Sequence, residues 1–222
     1  MSAAIRGPGA SQANQAAIDA AVAAGARRVL YTSHQAASPT SLFPAAVEHA
    51  ATEAHLSRVA EQGVSTTALR NGFYASTLGY YLPTAVGSGR LGLPADGPVS
   101  WTGHADLAEA AALALTDPGR GDGQLNKPVV TLTSAERLDF AGAAKLATQI
   151  TGKPIDRVVI DDEQWTAGAV ANGMPAAAAA FTLGIFRAAR AGEFDVTDPT
   201  LTQILRRPAA TARSILERIL AS

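Results

Sequence analysis

The residues in this 222-residue sequence that could do chemistry fall in three places. His49 and Glu53 stand four apart in a helical stretch, so they share one face. Such a pair is either a solvated i,i+4 partnership or an imidazole and a carboxylate set to handle a proton. Thr32 and Ser33 close one apolar run, and Asn71-Gly72-Phe73 stand at the end of another. In a parallel sheet, ligands bind in the crevice beyond the carboxyl ends of the strands. Both runs would then deliver small polar residues to one rim. Capping of a strand end explains Thr32 and Ser33 well, and Asn71-Gly72-Phe73 less well.

Other motifs carry less. Gly87-Ser-Gly89-Arg-Leu-Gly92 spells the dinucleotide fingerprint, but Leu-Pro-Ala-Asp-Gly-Pro follows it and cannot open the helix that meets a pyrophosphate. An ordinary loop is expected there. Gly7-Pro-Gly9 lacks a third glycine, and Arg120-Gly-Asp122 reads as a turn. His34, His49, His55 and His104 form no H-x-x-x-H or H-E-x-x-H pair, so no metal site is expected. With no cysteine and no G-x-S-x-G elbow, thiolate and serine-hydrolase chemistry have no carrier.

The elements that must position these residues alternate. A helix is expected over Gln12–Ala24 with Gly25 after it, then a strand over Arg28–Ser33. A second helix opens at Pro44 and runs to Gln62, Gly63 stops it, and Ser65–Arg70 forms the next strand. That order is what a parallel α/β sheet produces. Downstream, Tyr74–Val86 reads as helical or mixed, Gly87–Pro98 as loop, Val99–Thr102 as strand, Ala105–Leu115 as helix and Pro128–Leu132 as strand. Thr133 and Glu136 have capping-box spacing ahead of a helix ending near Ile150, and Arg157–Ile160 reads as a strand. Three or four helices fill Asp162–Leu220. Trp165, Met174, Phe181, Phe186 and Phe194 read as core ahead of pocket.

Composition narrows the class. A formal net charge of −1 gives no footprint for nucleic acid or an anionic membrane. No apolar run is long enough to span a bilayer, and Met1–Ala10 lacks the apolar stretch of a signal peptide, so a cytoplasmic location is expected. The abundance of alanine, including Ala176–Ala180, suits helix.

Taken in order, Arg28-Val-Leu-Tyr-Thr-Ser33, Glu48-His49-Ala-Ala-Thr-Glu53, Leu69-Arg-Asn-Gly-Phe-Tyr74, Val99-Ser-Trp-Thr-Gly-His-Ala-Asp-Leu-Ala108, Gly152-Lys-Pro154 and Leu205-Arg-Arg-Pro-Ala-Ala-Thr211 resemble the NmrA-like atypical short-chain dehydrogenase/reductases, and among them the NAD(P)H:quinone oxidoreductases. The resemblance implies a Rossmann-type parallel sheet, truncated at its N-terminal side, with a small mainly helical C-terminal lobe. It divides the chain into 1–152, a partial NAD(P)-binding domain, and 153–222, a substrate lobe. NADPH or NADH would be the cofactor, with Thr32 and Ser33 beside the nicotinamide ribose and Asn71, Gly72 and Phe73 beside the nicotinamide and pyrophosphate. Such reductases commonly carry a Tyr-x-x-x-Lys pair. Here His49 falls at the lysine position and Ala45 at the tyrosine position, which leaves His49 as the candidate for ribose contact or proton supply. The implied activity is hydride transfer from the nicotinamide to a small planar acceptor such as a quinone. The alternatives are an NAD(P)-binding redox sensor without turnover and an inactive fragment. Such proteins begin with strands that this sequence lacks, Ser2–Ile5 resembling the tail of the fourth. Their loss would leave the strand at Val29 as a sheet edge, which a homodimer could bury.

Overall fold

In the computed structural model, residues 9–117, 119 and 123–221 are described. The expected strand tail at Ser2–Ile5 and the expected turn at Arg120–Asp122 lie outside them. The elements run α1 (Ala10–Ala23), β1 (Arg28–His34), α2 (Pro44–Glu61), β2 (Ser65–Asn71), a 3-10 helix (Ala75–Tyr80), α3 (Leu82–Ser88), β3 (Arg90–Leu93), α4 (His104–Thr116), β4 (Val129–Leu132), α5 (Phe140–Thr151), β5 (Asp156–Val159), α6 (Asp162–Ala171), α7 (Ala176–Arg190), α8 (Thr200–Leu205) and α9 (Ala212–Leu220).

Gly25 and Gly63, with φ of 87° and 89°, end α1 and α2 in the left-handed conformation that side chains resist, and each turn feeds a strand. Arg28–His34 then pairs in parallel with Ser65–Asn71, and β2 pairs in parallel with β4, giving the order β1-β2-β4. This is a Rossmann-type α/β sheet. On one face, Ile18, Val29, Tyr31, Leu56, Val59 and Ala68 join α1 and α2 to the strands. On the other, Leu30, Leu69, Leu107, Val130, Leu132, Leu201 and Ile204 join them to α4 and α8. The largest cluster, with Phe43, Phe73, Trp101, Phe140, Phe186 and Phe194, lies beyond the strand ends.

The structure corrects several expectations. The loop expected over Gly87–Pro98 contains β3, which pairs in parallel with β5, more than sixty residues later. Gly87 lies in α3 and Gly89 caps it at φ 71°, so these glycines end a helix ahead of a strand, the reverse of a dinucleotide loop. Val99–Thr102 makes only isolated bridges, Val99 to Leu138 and Thr102 to Tyr74. The Thr133/Glu136 box does not form. Thr133 Oγ1 accepts from Asp198 N (2.8 Å) and Glu136 Oε2 from Ala212 N (2.7 Å), while Asp139 caps α5 through Gly142 N. Tertiary donors outcompeted the local ones. Strand β3 pairs with β5, and α8 packs with β4 and α4.

Candidate active site

The rim of β1 and β2 opens on a cavity of about 400 Å³. Thr32, Ser33, His49, Asn71, Gly72 and Phe73 all line it, whereas Glu53, the other member of the His49 pair, does not. His34, Phe43, Tyr74, Tyr81 and Phe181 complete its walls, and Tyr80, 81% exposed, stands among its lining residues. The register explains the convergence. Ser33 faces Arg70 and His34 faces Asn71 across the parallel pair, and partnered residues project to the same face. Helix α2, entered through Pro44, brings Ala45 and His49 over the strand ends.

Glu53 turns away from His49. Its carboxylate accepts from Arg70 Nε (2.9 Å) and Nη2 (2.6 Å) and from Ser33 Oγ (2.5 Å). The solvated i,i+4 pair is therefore absent, and the hydrogen bonds from Arg70 to Glu53 raise the guanidinium's basicity further. His49 instead has Nδ1 2.6 Å from the Tyr31 hydroxyl, which accepts from Asn14 Nδ2 (3.3 Å). The Tyr31 hydroxyl and His49 Nδ1 share one hydrogen bond in which either can donate, according to the tautomer of the ring. Burial pulls His49 down to about 4 from 6.5, against the opposing fields of Glu53 and then Glu48. His49 is a neutral imidazole at pH 7.

His34 was not singled out, since a lone histidine at a strand end gives no pattern. Its Nδ1 accepts from Ala36 N (3.1 Å), and Nε2 is buried with no protein partner. Phe43, Phe73 and Phe194 meet its ring edge-on at 5.4 to 5.5 Å, and His49 stacks on it at 6.2 Å. Burial, then the neighbouring His49, lowers it to about 3. Asn71 Oδ1 is likewise buried without a partner. A buried polar atom left unsatisfied costs about 1–3 kcal/mol, so this wall suits a polar planar ligand better than a hydrocarbon.

Gly72 has a reason of its own. A Cβ there would sit 2.1 Å from Thr102 Oγ1, so glycine is required by the Thr102 side chain behind it. Among the lobe aromatics, Phe186 and Phe194 are core, Trp165 packs on Phe186, and Phe181 forms cavity wall. Among the described residues no cluster of His, Asp or Glu could hold a metal, and no helix is long and apolar enough to cross a membrane.

A parallel sheet whose strand ends open on a cavity is the arrangement of the Rossmann-type fold. No family model matches the chain. The chain is 30% identical over 198 residues to quinone oxidoreductase 2 of Escherichia coli K12, spanning 87% of this chain, and 24% identical over 208 residues to an NmrA-like family domain-containing oxidoreductase of Aspergillus flavus. It spans 65% of the length of each of these curated relatives. The crystal structure of the NADPH-dependent quinone oxidoreductase from E. coli complexed with NADPH superposes with a TM-score of 0.84 at 25% identity, covering 96% of this chain and 72% of that one. The chain is similar to NmrA-like, quinone reductase-type proteins and shares their fold.

Proposed function

We propose that this chain carries the nicotinamide and substrate side of an NAD(P)H-dependent oxidoreductase that reduces a small planar acceptor of the quinone type. The observation that carries the reading is the single cavity of about 400 Å³ lined by Thr32, Ser33, His49, Asn71, Gly72 and Phe73. Its relatives, a quinone oxidoreductase and an NAD(P)H azoreductase of Xenophilus azovorans, support it.

The residues fit a nicotinamide at the β2 end. Asn71 Oδ1 is a buried acceptor without a partner, suited to a carboxamide N–H, and Thr32 lies on the same rim. A nicotinamide bound there would supply the hydride. The protein's part is position and exclusion of water. Phe43, Phe73 and Phe181 offer ring faces and edges that hold a planar acceptor. His49, neutral at pH 7, offers the cavity a hydrogen-bonding ring rather than an acidic proton, so the proton for the reduced acceptor comes from solvent.

Titration of the 222-residue chain with NADPH, followed by fluorescence or heat, tests the reading. Micromolar binding, with quinone-dependent NADPH oxidation that falls in His49→Ala, is expected. No binding up to millimolar NADPH would overturn it for this chain.

A further inference from the structure

We propose that the cavity at the ends of β1 and β2 selects an uncharged planar acceptor and rejects planar molecules that carry a charge of either sign on the ring. The proposal deepens the reductase reading, on which its biological meaning rests.

Three observations carry it. First, 17% of the residues in the chain are charged, yet no Asp, Glu, Lys or Arg is among the described residues that line this cavity. Three other cavities each carry such groups in their walls: Asp162, Glu163 and Arg187 in one, Arg218 in the next, Glu53 and Arg70 in the third. Second, the carboxylates on either side of His49 in α2 have partners outside the cavity or behind its wall. Glu53 accepts from Arg70 and Ser33, and Glu48 accepts from Ser11 N. Third, the two imidazoles and the Tyr81 phenol in the wall stay neutral at pH 7. Burial, then the neighbouring His49, holds His34 near 3, and burial holds His49 near 4 against Glu53 and Glu48. Burial pushes Tyr81 up to about 12.

A charge moved from water into such walls loses its hydration and meets no opposite charge in return. The loss is alike for both signs, because it comes from desolvation rather than from a field. A dihydronicotinamide ring is itself uncharged, so a reduced cofactor would bring no countercharge. What the walls do offer suits a neutral ring: the aromatic surfaces of Phe43, Phe73 and Phe181, with uncharged polar groups among them. Rejection of this origin does not respond to salt, whereas a repulsive surface field is screened over about 10 Å at 0.1 M salt.

The test uses two naphthoquinones of matched size, with the intact chain and no cofactor. One is 2-methyl-1,4-naphthoquinone, which is neutral. The other is 2-hydroxy-1,4-naphthoquinone, an anion at pH 7 whose colour reports its ionisation. The chain has no cysteine thiol to which a quinone could add. By fluorescence quenching, the methyl compound should bind at least about a hundredfold more tightly than the anion, and the ratio should not change on raising salt to about 0.5 M. Once bound, the hydroxy compound should ionise at a higher pH than it does in water. For the opposite sign, quinoline should outbind N-methylquinolinium by a similar factor. Thr182 lines the wall from α7, and its hydroxyl donates to Ala178 O within the same helix (2.9 Å), so Thr182→Arg adds a cation without breaking a bond between elements. That variant should tighten binding of the anion about tenfold. Equal affinities, tighter binding of either charged compound, ionisation at or below the free value, a salt-dependent ratio, or no binding at all would overturn the proposal. The ionisation measurement uses the unmodified chain and needs no variant to fold. NADPH titration of the same sample separates the two readings. Neutral quinone bound without NADPH binding would sink the reductase reading and leave the charge selectivity standing.

Discussion

At the scale of single residues, the site is organised by what each polar group is denied. His34 and His49 are held near 3 and 4 by burial, against 6.5 when free. Between those values and 6.5 the unfolded chain binds more protons than the folded one, so stability falls as pH drops from about 6.5 toward 4. Each group contributes a slope of roughly 1.4 kcal/mol per pH unit at most. Urea midpoints measured from pH 7 to pH 5 should decline, and His34→Gln or His49→Gln should each flatten the decline. A slope indifferent to both changes would mean that the rings protonate freely in the folded state. Glu53 is the opposite case, a carboxylate with its side chain 11% exposed and saturated by Arg70 and Ser33. Removing it leaves a half-buried guanidinium unpaired, so Glu53→Ala should cost about 2–4 kcal/mol, read by chemical denaturation.

Elements decide where these residues stand, and here the sequence is readable unevenly. The β1–α2–β2 unit was legible because each part carries its own signal: β-branched or aromatic runs, Pro44 at a helix start, and Gly25 and Gly63 at the turns. Strand β3 was not, because Arg90-Leu-Gly-Leu93 is short, contains glycine and finds its partner in Asp156–Val159. The capping box failed for the same reason, since the donors that took Thr133 and Glu136 come from residues 198 and 212. In the site, Thr32, Ser33, His49 and Asn71–Phe73 could be found because they end strands or share a helix face. The role of His34 needed the folded chain, as its surroundings come from Phe43, Phe73 and Phe194. Two element-scale outcomes follow from backbone geometry. Arg206 closes α8 at φ 55°, a conformation suited to glycine, so Arg206→Gly should stabilise by about 0.5–1 kcal/mol. A Cβ at Gly97 would sit 2.4 Å from the Ala189 carbonyl oxygen at the end of α7, so Gly97→Ala should destabilise by about 1–3 kcal/mol. Thermal melts of both variants check the opposite signs.

For the molecule as a whole, the question is whether lobe and sheet behave as one unit, and the cavity supplies the answer. Its walls come from β1, β2, α2, the 3-10 helix and α7, so neither half can form it alone. The halves are also stitched beside it. Glu193 accepts from Leu42 N (2.8 Å) and from the Ser41 hydroxyl, while the Phe194 carbonyl accepts from Gln35 Nε2 (3.1 Å) and Ser100 N (3.1 Å). Phe194, fully buried, then fills the space between His34, Phe43 and Phe73. A ligand in this cavity touches both halves and so stabilises only the state in which they are assembled. At a hundred times its dissociation constant it adds about 2.7 kcal/mol, which for a chain of this size is a rise of roughly 5–10 °C in melting temperature. The rise should come as a shift of one calorimetric transition, because no part of the chain can unfold and keep the site. Two transitions, only one of them moved by ligand, would show that sheet and lobe melt separately. Phe194→Ala sharpens the distinction: it should cost about 3–5 kcal/mol through the void it leaves, and the single transition should move down whole, carrying the ligand response with it.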